Sequence, residues 1–502
     1  MKNRIHILAN RLLPLLLLLV FITGLALIQF STPDLPDNDG FYHIKFADLM
    51  RRESLIPDFR WLPLTILNPQ EFYDHHFLYH VALIPFTFGD LRLGAKWSAV
   101  IFPALSFLAV YHLFKRERIP LAWLWALALL AVSEAFLYRM SITRAQSLSL
   151  GILALGMLWL LESNYWRLAV LGFVYVWTYN AFPLLLVVGV LYSAAVLLIE
   201  HKFHWKPLLF IIAGILTGLV INPYFPRNLI FTIRHILPKL TEPAVSGLGN
   251  EWFPYTTAQL LENSLPALAA LAGGALALGL AGRKIDVRTT FAFLISLLFA
   301  FMLFRARRFV EYFPPFALIF AAFAWSPLTE MFVESKETDP AYGRIFWKRW
   351  LLPVLLLMVA AIPGYFAISE ARELIRSSKP ANLYQYAAQW LQDNTPEDAL
   401  VFQTDWDDFP RLFFFNSHNV YLAGLDPTYS QQYDPDLYIR WVEITRGRVD
   451  NPADAILNEF GAEFVHTDLH HGDFLAIAYA DPRMVEVFRD DQAVIFQIVK
   501  NQ

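Results

Sequence analysis

The sequence predicts a polytopic α-helical membrane protein, with about 11 transmembrane helices and a C-terminal extracytoplasmic α/β domain. Three observations carry that expectation. The 502 residues are 56% hydrophobic and only 17% charged, with a mean hydropathy of +0.41. The apolar residues fall in long blocks, as membrane-spanning helices require. After "IPGYFAISEARELIRSSKP" the composition changes to that of a water-soluble chain.

Blocks long and apolar enough to span lie near 12-30, 96-114, 119-138, 146-161, 166-180, 183-199, 207-222, 264-281, 289-304, 312-326 and 350-368. The first follows Lys2, Arg4 and Arg11 and precedes no small-residue cleavage site. It reads as an uncleaved helix with its N-terminus in the cytoplasm. The further apolar piece Phe77 to Gly89 is short and contains His80 and Pro85, which suits a half-inserted or interfacial helix. With eleven spans, the basic loops "KRER", "EHKFHWK" and "GRKIDVR" and the segment ending "WKRW" share the cytoplasmic side, as positive-inside asymmetry demands. Residues 1-369 then form the transmembrane domain. Its large loops 31-95 and 223-263 lie outside, together with the external α/β domain 380-502.

Within 380-502, "DALVFQT", "NVYLAG", "AEFVHT" and "AVIFQIV" read as strands. The stretches "NLYQYAAQWLQDN" and "NPADAILNEFG" read as helices between them. A net charge of -4 and the lack of any basic arm give nucleic acid no electrostatic footing. The absence of cysteine excludes disulfides, thiolate metal sites and Cys nucleophiles. No GxSxG, Walker A, GxGxxG or HExxH motif is present, so hydrolase, nucleotide-driven and zincin chemistry find no support.

The polar residues that invite a role sit in the external loops. "STPDLPDNDGFYHIKFADLM" carries Asp34, Asp37 and Asp39 at the end of the first apolar block. The plain reading is a solvated turn in which Asp39 caps the following helix. The sharper one is an acid held at the bilayer surface to meet the head of a lipid-linked substrate. "FRARRFVEYFPP" puts Arg305, Arg307 and Arg308 in an external turn, where positive-inside bias expects few cations. Either they snorkel to anionic headgroups or pair with Glu311, or they hold a phosphate, which guanidinium groups grip in forked hydrogen bonds. "YRMSITRAQSLSL" places Arg139 and Arg144 in another such turn, and "EFYDHHFLYH" brings Tyr73, Asp74, His75 and His76 to a helix start. Those histidines read either as interfacial polar residues or as groups for a metal or hydroxyls.

"DGFYHIK" (Asp39 to Lys45) resembles the D-x-x-Y-H-x-R/K stretch of oligosaccharyltransferase catalytic subunits. "DHHFLYHVALIPFTFGDLRLGAKWSAVIF" is similar to the H-P-P-L-Y … G … R-L passage before the second span of many GT-C membrane glycosyltransferases. "VFQTDWDDFPRLFFFNSHNVYLAGLDPTY" resembles their W-W-D-Y-G region, with Trp406 and Asp407 on the W-D pair. The resemblance implies a GT-C-like enzyme that transfers a sugar from a polyprenyl-phosphate-linked donor to a glycan, lipid or protein acceptor on the extracytoplasmic face of the cell membrane. It implies Asp39 as the catalytic carboxylate, with Asp37 as runner-up. Arg305, Arg307, Arg308 and Arg144 become the donor-phosphate ligands, and Tyr42, His43, His75, His76, Glu251, Trp406 and Asp407 the substrate-binding residues. Two departures stand out. Asp405, Asp408 and Phe409 occupy the first Trp and the Tyr-Gly of the W-W-D-Y-G pattern, which speaks against sequon recognition. The turn matched to the acidic metal-binding turn of that family contains no Asp or Glu, so a divalent metal, Mg or Mn, stays open. The alternatives from sequence are a multi-pass transporter, against which the near absence of mid-span charge speaks, and a non-catalytic lipid- or glycan-binding relative.

Overall fold

The computed structural model describes residues 2–236, 250–334 and 346–500. Every apolar block read from the sequence is helical. Among the described residues, five helices are long and apolar enough to cross a membrane: Arg11–Gln29, Leu91–Arg116, Pro183–Glu200, Thr257–Ala281 and Val287–Arg305. The third block is not one straight span. It breaks into Ala122–Leu130 and Glu134–Met140, bent by 85°. Ser133 ends the first run by taking an extended backbone and capping the second through the N–H of Phe136. The blocks Gln146–Leu161 and Lys206–Val220 are apolar but shorter, and Tyr165–Thr178 has 14 residues. The piece Phe77–Thr87 is another short apolar helix.

Local chemistry sets these ends. Thr256 and Gln259 form a reciprocal capping box at the start of Thr257–Ala281, and Gly282, at φ +58°, stops it. Asp286 caps Val287–Arg305 through the N–H of Thr289. Helix contacts use small residues where backbones meet. Gly214 and Gly218, four apart on Lys206–Val220, face the helix Tyr165–Thr178, and a Cβ on Gly214 would fall 2.0 Å from the carbonyl oxygen of Ala169.

The second part of the chain builds a five-stranded sheet from β1 (Leu400–Gln403), β2 (Val420–Tyr421), β3 (Phe464–Asp468), β4 (Met484–Arg489) and β5 (Ala493–Ile498). Its order is β2-β1-β3-β5-β4. β1 runs parallel to β2 and β3, and β5 pairs antiparallel with β3 and β4. The four strands read from sequence all form. β4 was not read; it lies at the sheet edge with only Met484 buried and an irregularity between Glu486 and Phe488, so it lacks a clean alternating pattern.

The element that joins both parts is the helix Asn38–Arg52. Its acidic first turn and the Arg51 and Arg52 pairs with Asp48 at its end (2.6 and 2.9 Å) suit the helix dipole. It is buried on nearly every side. Phe41 and Ile44 pack into the membrane-helix core, while Tyr42 and Phe46 join an aromatic cluster with Phe59, Phe72, Phe409 and Phe413 from the neighbouring loop and the sheet region. The sheet region is pinned here by polar bonds as well. Trp61 donates from Nε1 to the carbonyl of Ser417 (2.8 Å), and the N–H of Tyr421 donates to the carbonyl of Trp61 (2.8 Å).

Candidate active site

The three acids that follow the first apolar helix have three different tasks. Asp34 is structural. Its carboxylate accepts the N–H of Ala381 (2.7 Å) and the Thr32 hydroxyl (2.9 Å), and its carbonyl accepts the buried ammonium of Lys96 (2.8 Å). Asp37 sits at the N-cap position of Asn38–Arg52 with an extended backbone, but its side chain makes no capping bond. Instead it takes a forked pair from Arg144, at 2.5 Å from Nε and 2.7 Å from Nη2. Asp39 therefore lies in the first turn and is not the cap that the plain reading assigned. It receives one contact from Arg144 Nη2 at 3.0 Å.

Arg144 reaches these acids from the turn before the helix Gln146–Leu161. The approach is close: a Cβ on Gly40 would lie 3.3 Å from Cβ of Thr143, the residue before Arg144. A bare glycine at that helix position lets the two segments touch. On the far side, Glu251 contacts Arg139 at 3.0 Å and Arg308 at 3.3 Å, with Arg144 3.9 Å away. Arg139 also pairs with Glu311, whose side chain is 1% exposed. Arg308 stacks its guanidinium 4.2 Å over the Trp252 ring and donates to the Tyr179 hydroxyl at 3.3 Å. Its neighbours turn elsewhere. Arg307 donates to the carbonyl of Pro254 (3.2 Å) and covers Tyr255, and Arg305 ends its helix exposed. Arg305 and Arg307 do not line the cavity described next, which leaves Arg308 and Arg144 of the four expected phosphate ligands.

Between these groups lies a cavity of about 330 Å³. Asp39, Tyr42 and His43, at i, i+3 and i+4 of one helix, share the face that lines it. His75, His76, Arg144, Glu251 and Arg308 line it as well, and Trp406 and Asp407 come in from the sheet region. Asp37 does not. Asp39 keeps 23% of its side-chain surface open to the cavity. Burial of this recessed carboxyl, opposed by Arg144 and reinforced by Asp37 and Asp407, pushes it up to about 7. Burial raises Asp407 as well, to about 6. Glu251 goes the other way. Burial alone would raise it, but Arg308, Arg139 and Arg144 together pull it below the usual carboxylate range. Two acids of one cavity are thereby driven apart, one poised to exchange a proton and one held as a fixed negative charge.

A divalent cation does not fit the residues that surround Asp39. The space between Asp37 and Asp39 is already bridged by the Arg144 guanidinium. Among the described residues, no three His, Asp or Glu side chains converge as a metal would need.

The sequence reading missed Trp252, Tyr179, Asn180, Gln146 and the 425–429 segment as cavity lining. None carries a local signal; they meet only because four segments far apart in the sequence converge. It also missed that Arg139 is tied into the site by Glu251 and Glu311. Residues 237–249 of the expected 223–263 loop lie outside the described residues.

No protein-family model matches the sequence, and no curated protein sequence does. Solved structures do match in fold. The chain is similar to the oligosaccharyltransferase of Archaeoglobus fulgidus in its apo form, with a TM-score of 0.64 at 15% identity over 93% of this chain and 71% of that one. It is similar to ArnT from Cupriavidus metallidurans bound to undecaprenyl phosphate, with a TM-score of 0.58 at 15% identity over 97% of each chain. It is also similar to the arabinofuranosyltransferase AftD from Mycobacteria, with a TM-score of 0.55 at 16% identity, spanning 96% of this chain and 40% of that one. All three are GT-C glycosyltransferases, and the GT-C fold is the fold of this chain, shared at a distance.

Proposed function

We propose that this GT-C-fold protein is a membrane glycosyltransferase that moves a sugar from a polyprenyl-phosphate-linked donor to a hydroxyl acceptor. The observation that carries this reading is the cavity itself. One titrating carboxylate, Asp39, faces arginines suited to phosphate, Arg144 and Arg308, with Trp406 offering an aromatic face on which a sugar ring would stack. Two neighbours of the same fold lend support by what they hold: dolichol phosphate in the archaeal oligosaccharyltransferase and undecaprenyl phosphate in ArnT.

Transfer from a lipid phosphate needs less of the protein than glycoside hydrolysis does. Phosphate leaves readily, so no second carboxylic acid has to protonate it, unlike the paired acids of most glycosidases. The acceptor hydroxyl oxygen attacks the anomeric carbon, its proton passes to Asp39, and the bond from that carbon to the phosphate oxygen breaks. Arg308, with Arg144, balances the charge that gathers on the departing polyprenyl phosphate. Asp37 keeps Arg144 in place, Tyr42, His43, His75 and His76 form the sugar side, and Asp407 with the rest of 380-502 forms the acceptor side. The same reading takes eleven spans: the five long helices, the bent pair as one crossing, the shorter Gln146–Leu161, Tyr165–Thr178 and Lys206–Val220, and the helices Phe313–Glu334 and Phe346–Arg376. The cavity and the sheet region then lie on the extracytoplasmic face.

Two measurements test this. In proteoliposomes supplied with a polyprenyl-phosphate hexose, the protein should release polyprenyl phosphate when a hydroxyl acceptor is present. A reporter fused after Gln502 should behave as extracytoplasmic and one inserted in "KRER" as cytoplasmic. The opposite result at both sites puts Asp39 on the wrong side of the bilayer for a donor presented outside, and the proposal falls.

A further inference from the structure

Behind the cavity wall, Asp74 and His80 extend from His43 as a buried chain, and the transfer step above uses neither of those two. Asp74 Oδ2 lies 2.8 Å from His80 Nδ1, and His80 Nε2 lies 2.8 Å from His43 Nδ1. All three residues are at most 4% exposed. The other Asp74 oxygen accepts the backbone N–H of His76 at 2.9 Å, which locks the carboxylate in its plane. Tyr42, Phe46 and Tyr79 surround the His80 ring, and His76 and Tyr79 lie edge-on to His43. The chain ends at the cavity, because His43 lines it.

We infer that Asp74 and His80 fix His43 in the tautomer that bears its hydrogen on Nδ1, so that the bare Nε2 of His43 accepts a hydrogen bond from a sugar hydroxyl in the cavity. This role rests on the glycosyltransferase reading above. A carboxylate only accepts, so His80 donates to it from Nδ1, and an uncharged His80 then turns a bare Nε2 to its neighbour. That nitrogen also only accepts, so His43 donates from Nδ1 and has no hydrogen left for Nε2. Burial, helped by His80 and Arg144, lowers His43 well below its ordinary value, so the ring is uncharged at neutral pH. An uncharged imidazole left to itself exchanges tautomers; one tied to a buried carboxylate does not. Asp74 and His80 are positioning residues, and His43 is the one that touches substrate. The groups that face His43 and bear on its charge are His80, Arg144 and His75.

The hydroxyl has two sources, the donor sugar and the acceptor sugar, and binding separates them. Undecaprenyl phosphate, undecaprenyl-phosphate glucose and octyl glucoside are titrated onto the purified full chain and onto His43→Gln and Asp74→Asn. Losing one neutral hydrogen bond should weaken a sugar-bearing probe by about 2- to 12-fold in both variants. Undecaprenyl phosphate, which has no sugar, should bind all three proteins alike. Weakening of undecaprenyl-phosphate glucose assigns the donor hydroxyl, and weakening of octyl glucoside the acceptor. Equal affinities throughout, or an equal loss for undecaprenyl phosphate, overturn the proposal. The native protein supplies a reading that needs no variant to fold. With 15N-labelled histidine, the ring that shares a hydrogen bond with a second imidazole should show a protonated Nδ1 and a bare Nε2 at neutral pH; the reverse tautomer for His43 ends the inference at once. Loss of transfer in Asp39→Asn with full sugar binding in His43→Gln removes the relay and leaves the enzyme reading standing. Full transfer in Asp39→Asn removes the enzyme reading as stated, whatever the histidines do.

Discussion

The acidic turn 34–39 and the arginine turn 305–308 look alike in sequence, each with three like charges within a few residues, yet they deploy them differently. In the acidic turn, Asp37 and Asp39 flank the start of a helix and both reach Arg144, while Asp34 staples the loop to Ala381. In the arginine turn, Ala306 is extended and a single 3₁₀ segment, Arg307–Glu311, follows, so neighbouring side chains fan out about 120° apart. Only Arg308 faces the cavity. A cluster of charge in a sequence thus marks a region, and the local backbone decides which member faces the cavity.

The largest effect should come from the acidic side. Asp39→Asn removes the proposed proton acceptor and should cut transfer on the order of 10²- to 10⁴-fold, while Asp37→Asn should act through a loosened Arg144 and cost less. The parent's rate should climb as pH rises through about 7, where Asp39 ionises, and this limb should vanish in Asp39→Asn. Stability carries the opposite sign. The folded chain keeps the Asp39 proton up to about 7, whereas the unfolded chain releases it near 3.8, so this group's contribution falls as pH rises between those values. Asp39→Asn should therefore melt no lower than the parent at pH 8, and a clearly lower melting temperature there would mark Asp39 as structural.

Next comes the arginine side. Arg308→Ala should lower transfer by roughly 10²- to 10³-fold, the range for one charge-stabilising donor. The matched changes Arg305→Ala and Arg307→Ala should leave it within about twofold. Equal losses at all three positions would mean that the turn acts by net charge, and the contrast drawn between the two turns would fail. A smaller effect is expected at Glu251, which holds Arg139 and Arg308 at once. Glu251→Gln frees both from a competing carboxylate and should tighten undecaprenyl phosphate binding a few-fold. It should also lower the melting temperature by a few degrees, because buried arginines lose a partner. Weaker binding in this variant would show that Glu251 aims Arg308 and does not compete with the lipid phosphate.

Much of the fold was legible because it rests on runs of composition. Long apolar blocks became helices, and the short, nearly continuous apolar runs, such as "AVIFQIV", became β5 and its neighbours. What escaped was what depends on three-dimensional closure. Nothing in "LALLAVSEAF" announces an 85° bend, because serine there reads equally as a helix residue or a cap. In the site, Asp39 was readable from its motif, and Trp406 from its place in a loose one. The difference between Asp37 and Asp39 was not, since it arises from Arg144, more than a hundred residues away. His80 was hidden for a related reason: a histidine inside an apolar run looks like an interfacial residue until Asp74 and His43 are seen on either side of it.

Asn38 stands immediately before Asp39 and is wired in both directions. Its Nδ2 donates to Asp407 at 2.6 Å, and its Oδ1 accepts from the buried guanidinium of Arg411 at 2.7 Å. Only a side chain that donates and accepts across one flat group can satisfy both. Aspartate would meet Asp407 with a second negative charge, and serine would not span the two contacts. In a lineage of such chains, position 38 should therefore drift in step with 407 and 411, a correlated trio separated by more than 360 residues. That covariation would be the trace, readable in sequences alone, of a membrane helix bundle and a surface sheet holding one aspartate between them.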